Sequence, residues 1–537
     1  MKTAIHKGID NFIPTKLRPS NKSPPWVNRK IRQLKNRKKR LYRTFINSHN
    51  ADDEARLKKV EKEYKKALRQ AKRNYEKNIA NSGDKRMFNC YVKSKTKYRS
   101  AIGPLKVSGS LATDDIDMAN ILNDFFTSVF TIEPKNNIPN VPITQPMSTL
   151  SNITIRETTV MDKIKKLKPK SASGPDGIGP KLLQDFASAL CSPLTRIFNL
   201  SISHGQVPTD WKIANVSPIF KKGSKSAPGN YRPISLTSIS CKILESIIKD
   251  HMVNHLDHNN LIGNTQHGFV RGRSCTTNLL DFFEDITLNL DNNTPTDIIY
   301  LDFAKAFDKV PHNRLLTKLR AFGINGNILS WIQDWLTNRR QRTVLNGKHS
   351  SWSDVVSGVP QGSVLGPLLF VIYIEDIDSC TSMISCINKF ADDTKVGQAL
   401  INNDSPILLQ DSLNKLAEWA NKWCMSFNEG KCTVLHVGTN NPQHSYTLNN
   451  ISLTSSTCEK DVGIHITNNL KPAEHCTTVA NRARHILGQI ARSFHYRDKH
   501  TFKKLYTTYV RVHMEFAVPA WSPWLLGDIN KLESVQK

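Results

Sequence analysis

Apolar residues along the first hundred positions follow a helical rhythm in one stretch. Leu57, Val60, Tyr64, Ala67, Ala71 and Tyr75 recur every three or four positions, with Lys and Glu between them. That spacing predicts one long helix over 51–80. Asp52, Asp53 and Glu54 fall in its first turn, where the helix dipole favours negative charge. Its narrow stripe suits docking on the body of the protein or pairing with another helix. Residues 1–28, rich in Pro and Lys, read as extended, and 29–49 read as a basic run without an apolar stripe. Residues 131–150 hold four prolines and no periodicity, and so read as a linker.

From about 150 the pattern becomes mixed. It predicts helices near 156–167, 179–200 and 239–256 and a strand near 213–220. Ile298, Ile299, Tyr300 and Leu301 form an apolar run that predicts a strand buried on both faces. Pro311 opens, and Gly323 stops, a helix carrying Leu315, Leu316, Leu319 and Phe322. Ile384, Cys386, Ile387 and Phe390 lead into Ala391-Asp392-Asp393, and Thr394, Lys395 and Val396 lead out, which predicts a tight hairpin. Between these lies Ser357-Gly358-Val359-Pro360-Gln361-Gly362-Ser363-Val364-Leu365-Gly366-Pro367, a shaped glycine- and proline-rich loop without the P-loop signature.

Charge adds a second layer. The 537 residues carry a net +29, and the first 100 supply 30 Lys and Arg against 8 Asp and Glu, or +22 of it. A basic arm on a near-neutral body suits a polyanion, nucleic acid above all. The alternatives are a solvated helix with no partner, or a structural brace. No Cys pair among the ten fits C-x-x-C, which argues against a zinc module or a disulfide scaffold. The longest apolar run, Val364 to Ile374, is far short of the ~20 residues that span a bilayer. With no secretory signal at Met1, the expectation is an intracellular protein, in nucleus or cytoplasm, without a membrane partner.

The chemistry converges on carboxylates. Asp302 ends the apolar strand, where an ionised side chain needs a cation or a donor unless it merely caps the next turn. Asp392 and Asp393 sit at a hairpin tip. Three such groups meeting at one place need divalent metal, and oxygen-only ligands favour Mg²⁺ or Mn²⁺. Two such ions activate an attacking hydroxyl and stabilise a leaving pyrophosphate. The basic loop at Lys221-Lys222-Gly223 and Arg232 supplies charge for a triphosphate. In outline this is a nucleotidyltransferase.

In this order the motifs resemble the reverse transcriptase of jockey-like, non-LTR (LINE) retrotransposons. They are Ser173 to Ile178, Asn230 to Leu236, Gln266 to Phe269 with Arg271 and Ser274, Tyr300 to Asp308, Gly358 to Phe370, Phe390 to Asp393, Asn428 to Val434, and Asp461 to Ile464. The resemblance implies an α+β right-hand polymerase, with fingers, a palm of antiparallel sheet flanked by helices, and a helical thumb. It implies a basic helical nucleic-acid-binding extension over 1–100, a helix and Pro-rich linker over 101–150, fingers and palm over 151–466, and thumb with the start of a further region over 467–537. It assigns Asp302, Asp392 and Asp393 to catalysis and to two metal ions, with the Phe303 carbonyl as an added ligand. Lys221 and Arg232 grip the triphosphate, Gln361 and Gly362 border nucleotide and template, and Lys431 is a candidate acid for pyrophosphate. Phe307 occupies the position where a ring clashes with a ribose 2′-OH. The implied partners are an RNA template, a DNA primer or target and dNTPs. Trp26 resembles the joint after the family's nuclease, so no nuclease is expected within this chain, and the C-terminus is expected to stop inside a helix. The other readings are a catalytically silent, retroelement-derived RNA- or DNA-binding protein and an RNA-directed RNA polymerase, against which Phe307 argues.

Overall fold

The computed structural model describes residues 1–13, 23–95, 102–107, 109–134, 138–141, 146–381 and 384–537. Parts of the expected extended N-terminus (14–22) and of the expected linker (135–137 and 142–145) lie outside the described residues. The chain divides into two compact units. One holds residues 101–470 with Met1–Lys2, and the other joins 3–100 to 471–537.

Eight strands of the first unit frame the site: β1 (Ile213–Phe220), β2 (Tyr231–Leu236), β3 (Thr296–Asp302), β4 (Arg339–Leu345), β5 (Cys386–Phe390), β6 (Asp393–Ala399), β7 (Thr433–Val437) and β8 (Thr454–Ser456). Strands β8-β7-β3-β6-β5 form one sheet in that order, antiparallel except for β8 with β7. β3 is central because Ile298 and Ile299 are wholly buried and Leu301 nearly so, as an uninterrupted apolar run requires. A second sheet pairs β1 with β2 antiparallel and β1 with β4 parallel. The helix Asp115–Ser128 covers this second sheet, burying Met118, Leu122 and Phe126 with Val216, Tyr231 and Leu345. The unit is thus a mixture of helix with a largely antiparallel central sheet, the α+β class expected.

Most elements fall where the pattern put them: Glu157–Lys165, Ile239–His258 and His312–Ala321 are helices, and the apolar run after the glycine-rich loop forms the helix Gly366–Tyr373. The helix expected over 179–200 breaks at Phe186 into Pro180–Asp185 and Ala187–His204.

In the second unit the long helix runs Ala51–Ser82, with the three acidic residues in its first turn. Its N-terminal stripe is half-buried except for the buried Val60, while Ile79 and Ala80 are buried with Val479, Ile490, Phe494 and Val510. Glu76 is fully buried, and its carboxylate accepts from the Tyr91 hydroxyl (2.6 Å) and the backbone N–H groups of His495 (3.1 Å) and Tyr496 (2.9 Å). The basic run also forms a helix, Arg29–Ser48, folded back on Ala51–Ser82 with a Lys38–Glu61 ion pair at 2.7 Å. Long Lys and Arg stems cover apolar surface while their heads stay wet, so this helix packs with Ile31 as its one buried residue. The extended reading of 1–28 is corrected at its start: Lys2–Phe12 is helical. Ile5, Ile9 and Phe12 recur at four and three, and the prolines that suggested an extended chain begin only at 14.

Candidate active site

Asp302 is the last residue of β3, and Asp393 the first of β6, directly opposite it in the antiparallel register. Asp392 sits in the two-residue turn between β5 and β6, after Ala391, whose φ is +58°. A remote segment shapes that left-handed turn. The fully buried Gln266 accepts on Oε1 from the backbone N–H of Ala391 (3.0 Å) and of Gly268 (2.8 Å). Gly268 lies so close that a Cβ there would come within 2.3 Å of the Ala391 nitrogen. His267 N–H to Lys389 carbonyl (2.9 Å) and Lys389 N–H to Thr265 carbonyl (2.8 Å) complete the dock.

The glycine-rich loop is seated with equal closeness. Gly358 has a φ of +85°, and a Cβ on it would meet the Asp308 backbone at 2.7–2.8 Å. Val359 N–H donates to the Phe307 carbonyl (2.8 Å), and Ser235 N–H on β2 donates to the Gln361 carbonyl (2.7 Å). The Gln361 side-chain amide donates to both oxygens of the buried Asp308, at 2.9 and 3.0 Å. The loop therefore ties β2 to the turn after β3.

These pieces enclose a cleft of about 660 Å³. Asp302, Asp392, Lys221, Arg232, Gln361 and Lys431 line it, together with Phe303, Phe307 and Gly362. Asp393 instead lines an adjoining cavity of about 170 Å³, and Asp302 lines both. Lys431 Nζ is 2.8 Å from Asp302, an ion pair in which both groups are partly exposed. Phe307 stacks on Phe370 (4.6 Å between ring centres, 19°) and meets the edge of the half-exposed Phe269 ring (6.4 Å, 83°). Phe303 stacks on Phe427 at 4.5 Å with its ring buried.

The electrostatics are those of carboxylates crowded without enough counter-charge. Burial pushes the Asp393 carboxyl up to about 6, helped by Asp392, Asp302 and Asp461. Burial also raises Asp392, with Asp302 adding to it. On the opposite wall, partial burial and the nearby Arg232 and Lys431 lower the Lys221 ammonium. Among the described residues, no three His, Cys, Asp or Glu groups stand close enough together to hold a metal ion unaided. Oxygen-only donors whose ionised forms repel one another do suit hard divalent cations.

A family model described as "Reverse transcriptase (RNA-dependent DNA polymerase)" matches residues 219–490, which include every one of these groups. The chain belongs to the reverse transcriptase family. Its curated relatives include the probable RNA-directed DNA polymerase from transposon X-element of Drosophila melanogaster, 25% identical over 389 residues (70% of this chain, 42% of the relative). They also include the RNA-directed DNA polymerase from mobile element jockey of Drosophila funebris, 27% identical over 398 residues (72% and 43%). The kinship with jockey-like retroelements expected from the motifs is thereby borne out. The chain spans less than half the length of these relatives. Among solved structures, an apo telomerase from Candida tropicalis, truncated from its C-terminal domain, is similar with a TM-score of 0.36 and 14% identity, covering 52% of this chain and 58% of that one. Reverse transcriptases as a family use divalent metal ions and act on an RNA template with a nucleic-acid primer. Among the described residues, no helix of this chain is long and apolar enough to cross a membrane.

Four residues of the chain were not singled out for roles by sequence: Gln266, Lys305, Asp308 and Glu245. Glu245 is fully buried and accepts on Oε2 from the Val364 (2.6 Å) and Leu365 (3.3 Å) N–H groups, fixing the far end of the loop. Gln266 and Asp308 lay inside recognised motifs, and the signal available was their polarity within apolar text. Glu245 had no signal at all, because its partners are 119 and 120 residues away.

Proposed function

We propose that the chain is an RNA-directed DNA polymerase of a jockey-like non-LTR retrotransposon, adding dNTPs to a primer 3′-OH on an RNA template. The observation that carries this reading is the meeting of Asp302, Asp392 and Asp393 at one end of a central sheet, beside a cleft that Lys221 and Arg232 also line, with Lys431 paired to Asp302. Carboxylates and cations lining one cleft suit a nucleoside triphosphate carried with Mg²⁺ or Mn²⁺.

Asp302, Asp392 and Asp393 are the residues to hold the two ions, with the Phe303 carbonyl beside them. When bound, such ions lower the pKa of the attacking hydroxyl and neutralise charge on the phosphate. The protein's own part is positioning and charge. Lys221 and Arg232 bind the polyphosphate, Lys431 is placed to give a proton to departing pyrophosphate, and Gln361 and Gly362 border the nucleotide and its templating base. Phe307, stacked on Phe370, is the ring that would clash with a ribose 2′-OH, and the reading therefore includes a preference for deoxynucleotides. The basic first 100 residues add non-specific affinity for nucleic acid.

The test is primer extension by the purified full chain on an RNA template with dNTPs and Mg²⁺ or Mn²⁺, alongside Asp392→Asn. Template-dependent incorporation that the substitution abolishes supports the reading. A folded wild-type chain that binds RNA and incorporates nothing refutes it and leaves a binding protein.

A further inference from the structure

Lys305 combines three features that its place in the chain does not explain. Its backbone is left-handed (φ 54°, ψ 47°), a region that a residue with a long side chain rarely adopts and that costs ~1–3 kcal/mol in general. Its ammonium sits 4.9 Å from the centre of the Phe125 ring, on the helix Asp115–Ser128, the range of a cation–π contact. Among the described residues, no carboxylate lies within ion-pair distance of it. The nearest acid on its own turn, Asp308, has both oxygens taken by Gln361.

The surroundings make this costly for the protein alone. Lys305 lines the same cleft as Lys221, Arg232 and Lys431, and all three oppose its charge. A partly buried ammonium facing three more cations, with a ring behind it and the Gln361-bound Asp308 carboxylate as its nearby counter-charge, is stabilised further once a multiply charged anion enters the cleft. The ring matters for direction. It packs against the core under the second sheet, so the ammonium is held from behind.

We propose that Lys305 is a fourth cation of the polyphosphate pocket, held by Phe125 toward the triphosphate of the incoming nucleotide. This rests on the polymerase reading above and extends it to a residue from the turn between the strand of Asp302 and the helix His312–Ala321. It also gives the segment before residue 130 a part in the site.

The test separates the pocket from the reaction. Inorganic tripolyphosphate is titrated into the full chain by calorimetry, with and without Mg²⁺, for wild type, Lys305→Met, Lys305→Arg and Phe125→Leu. Loss of one charge-assisted contact weakens binding roughly ten- to a hundredfold in Lys305→Met. Lys305→Arg keeps binding within about threefold, and Phe125→Leu falls between. In primer extension the Met variant raises the KM for dNTP in the same proportion and leaves kcat within about threefold. Wild-type and Met chains that bind tripolyphosphate alike overturn the inference, as does a wild type that binds none. Should Lys305→Met fail to fold, Phe125→Leu carries the test, and unchanged affinity in that variant overturns it. A Lys305-dependent affinity in a chain that extends no primer keeps the pocket and rejects the polymerase reading instead.

Discussion

Asp308→Asn is the change for which the structure makes the sharpest demand, because it separates stability from activity. Asp308 is buried, and desolvation raises its carboxyl from 3.8 to about 6 despite the Gln361 amide and the nearby Lys305. A raised carboxylate binds its proton more tightly in the folded chain than in the unfolded one. Stability therefore falls as pH rises from about 4 to about 6, and the full cost stays in place above that. At 1.36 kcal/mol per pH unit, keeping Asp308 ionised at neutral pH costs roughly 3 kcal/mol. Asparagine has nearly the same shape, and its Oδ1 still accepts one N–H from Gln361. The other oxygen becomes an NH2 donor facing the Gln361 amide, and losing that hydrogen bond while turning two buried donors apart returns roughly 1–2 kcal/mol. The expected balance at pH 8 is a gain of about 1–2 kcal/mol, seen as a rise in Tm of a few degrees. The same change loosens Gln361 at the nucleotide and should lower kcat/KM for dNTP about tenfold. Calorimetry from pH 4 to 8 with parallel primer extension measures both. The variant should also show a smaller fall in Tm between pH 4 and 6 than the wild type, the remaining fall coming from Asp393 and the other raised carboxyls. A lower Tm at pH 8, with the slope between pH 4 and 6 unchanged, would refute the reasoning.

Asp392→Asn should cut primer extension by at least ~10²-fold while leaving the Tm unchanged or raised, since it removes a buried charge beside Asp393; activity within tenfold of wild type rejects its assignment. Phe307→Val should raise rNTP use relative to dNTP use and, by undoing the stack on Phe370, cost about 2 kcal/mol. A lowered Tm with unchanged sugar discrimination would assign the ring to packing alone. Deleting residues 1–100 removes +22 of charge but also uncovers Val479, Ala483, Ile490 and Phe494. The truncated chain should therefore aggregate or show an earlier melting transition, as well as a shallower dependence of RNA affinity on salt. A truncation that melts like the whole chain, with only the salt slope reduced, would show the arm to be a tether and nothing more.

Sequence and structure agree best where one physical cause dominates. β3 was legible because four apolar residues in a row have few other uses, and the β5–β6 turn because apolar strands flank a polar tip. The side chains facing the cleft came from recognised motifs rather than from periodicity, and the geometry brings them together with one refinement. Asp393 lines the smaller cavity, whereas Asp392 and Asp302 line the cleft. The long helix was legible as a helix, but its purpose was not. Its apolar stripe pointed to residues 57–75, whereas the deepest burial comes at Glu76, Ile79 and Ala80, against segments some 400 residues away. A buried glutamate reads as surface in any periodicity argument, because its three donors are invisible until the chain is folded.

The same limit explains the character of the site. Each reactive side chain is placed by a backbone contact from another motif. Gln266 and Gly268 set the turn before Asp392, Asp308 and Phe307 seat the loop of Gln361, and Ser235 on β2 anchors that loop from the far side. The strained positions, Ala391 and Lys305, sit at these junctions. Backbone held in that region by neighbours on several sides has little freedom to relax. The carboxylates are therefore fixed close together before any ligand arrives, at an electrostatic cost recorded in the raised Asp392 and Asp393 carboxyls. Preorganisation of this kind is what charge stabilisation in a transition state requires, since a site that had to assemble around its substrate would give back in reorganisation what it gained in binding. On the proposed reading, residues bearing no charge, Gly268 and Gly358 first among them, therefore matter to the site as much as the aspartates beside them.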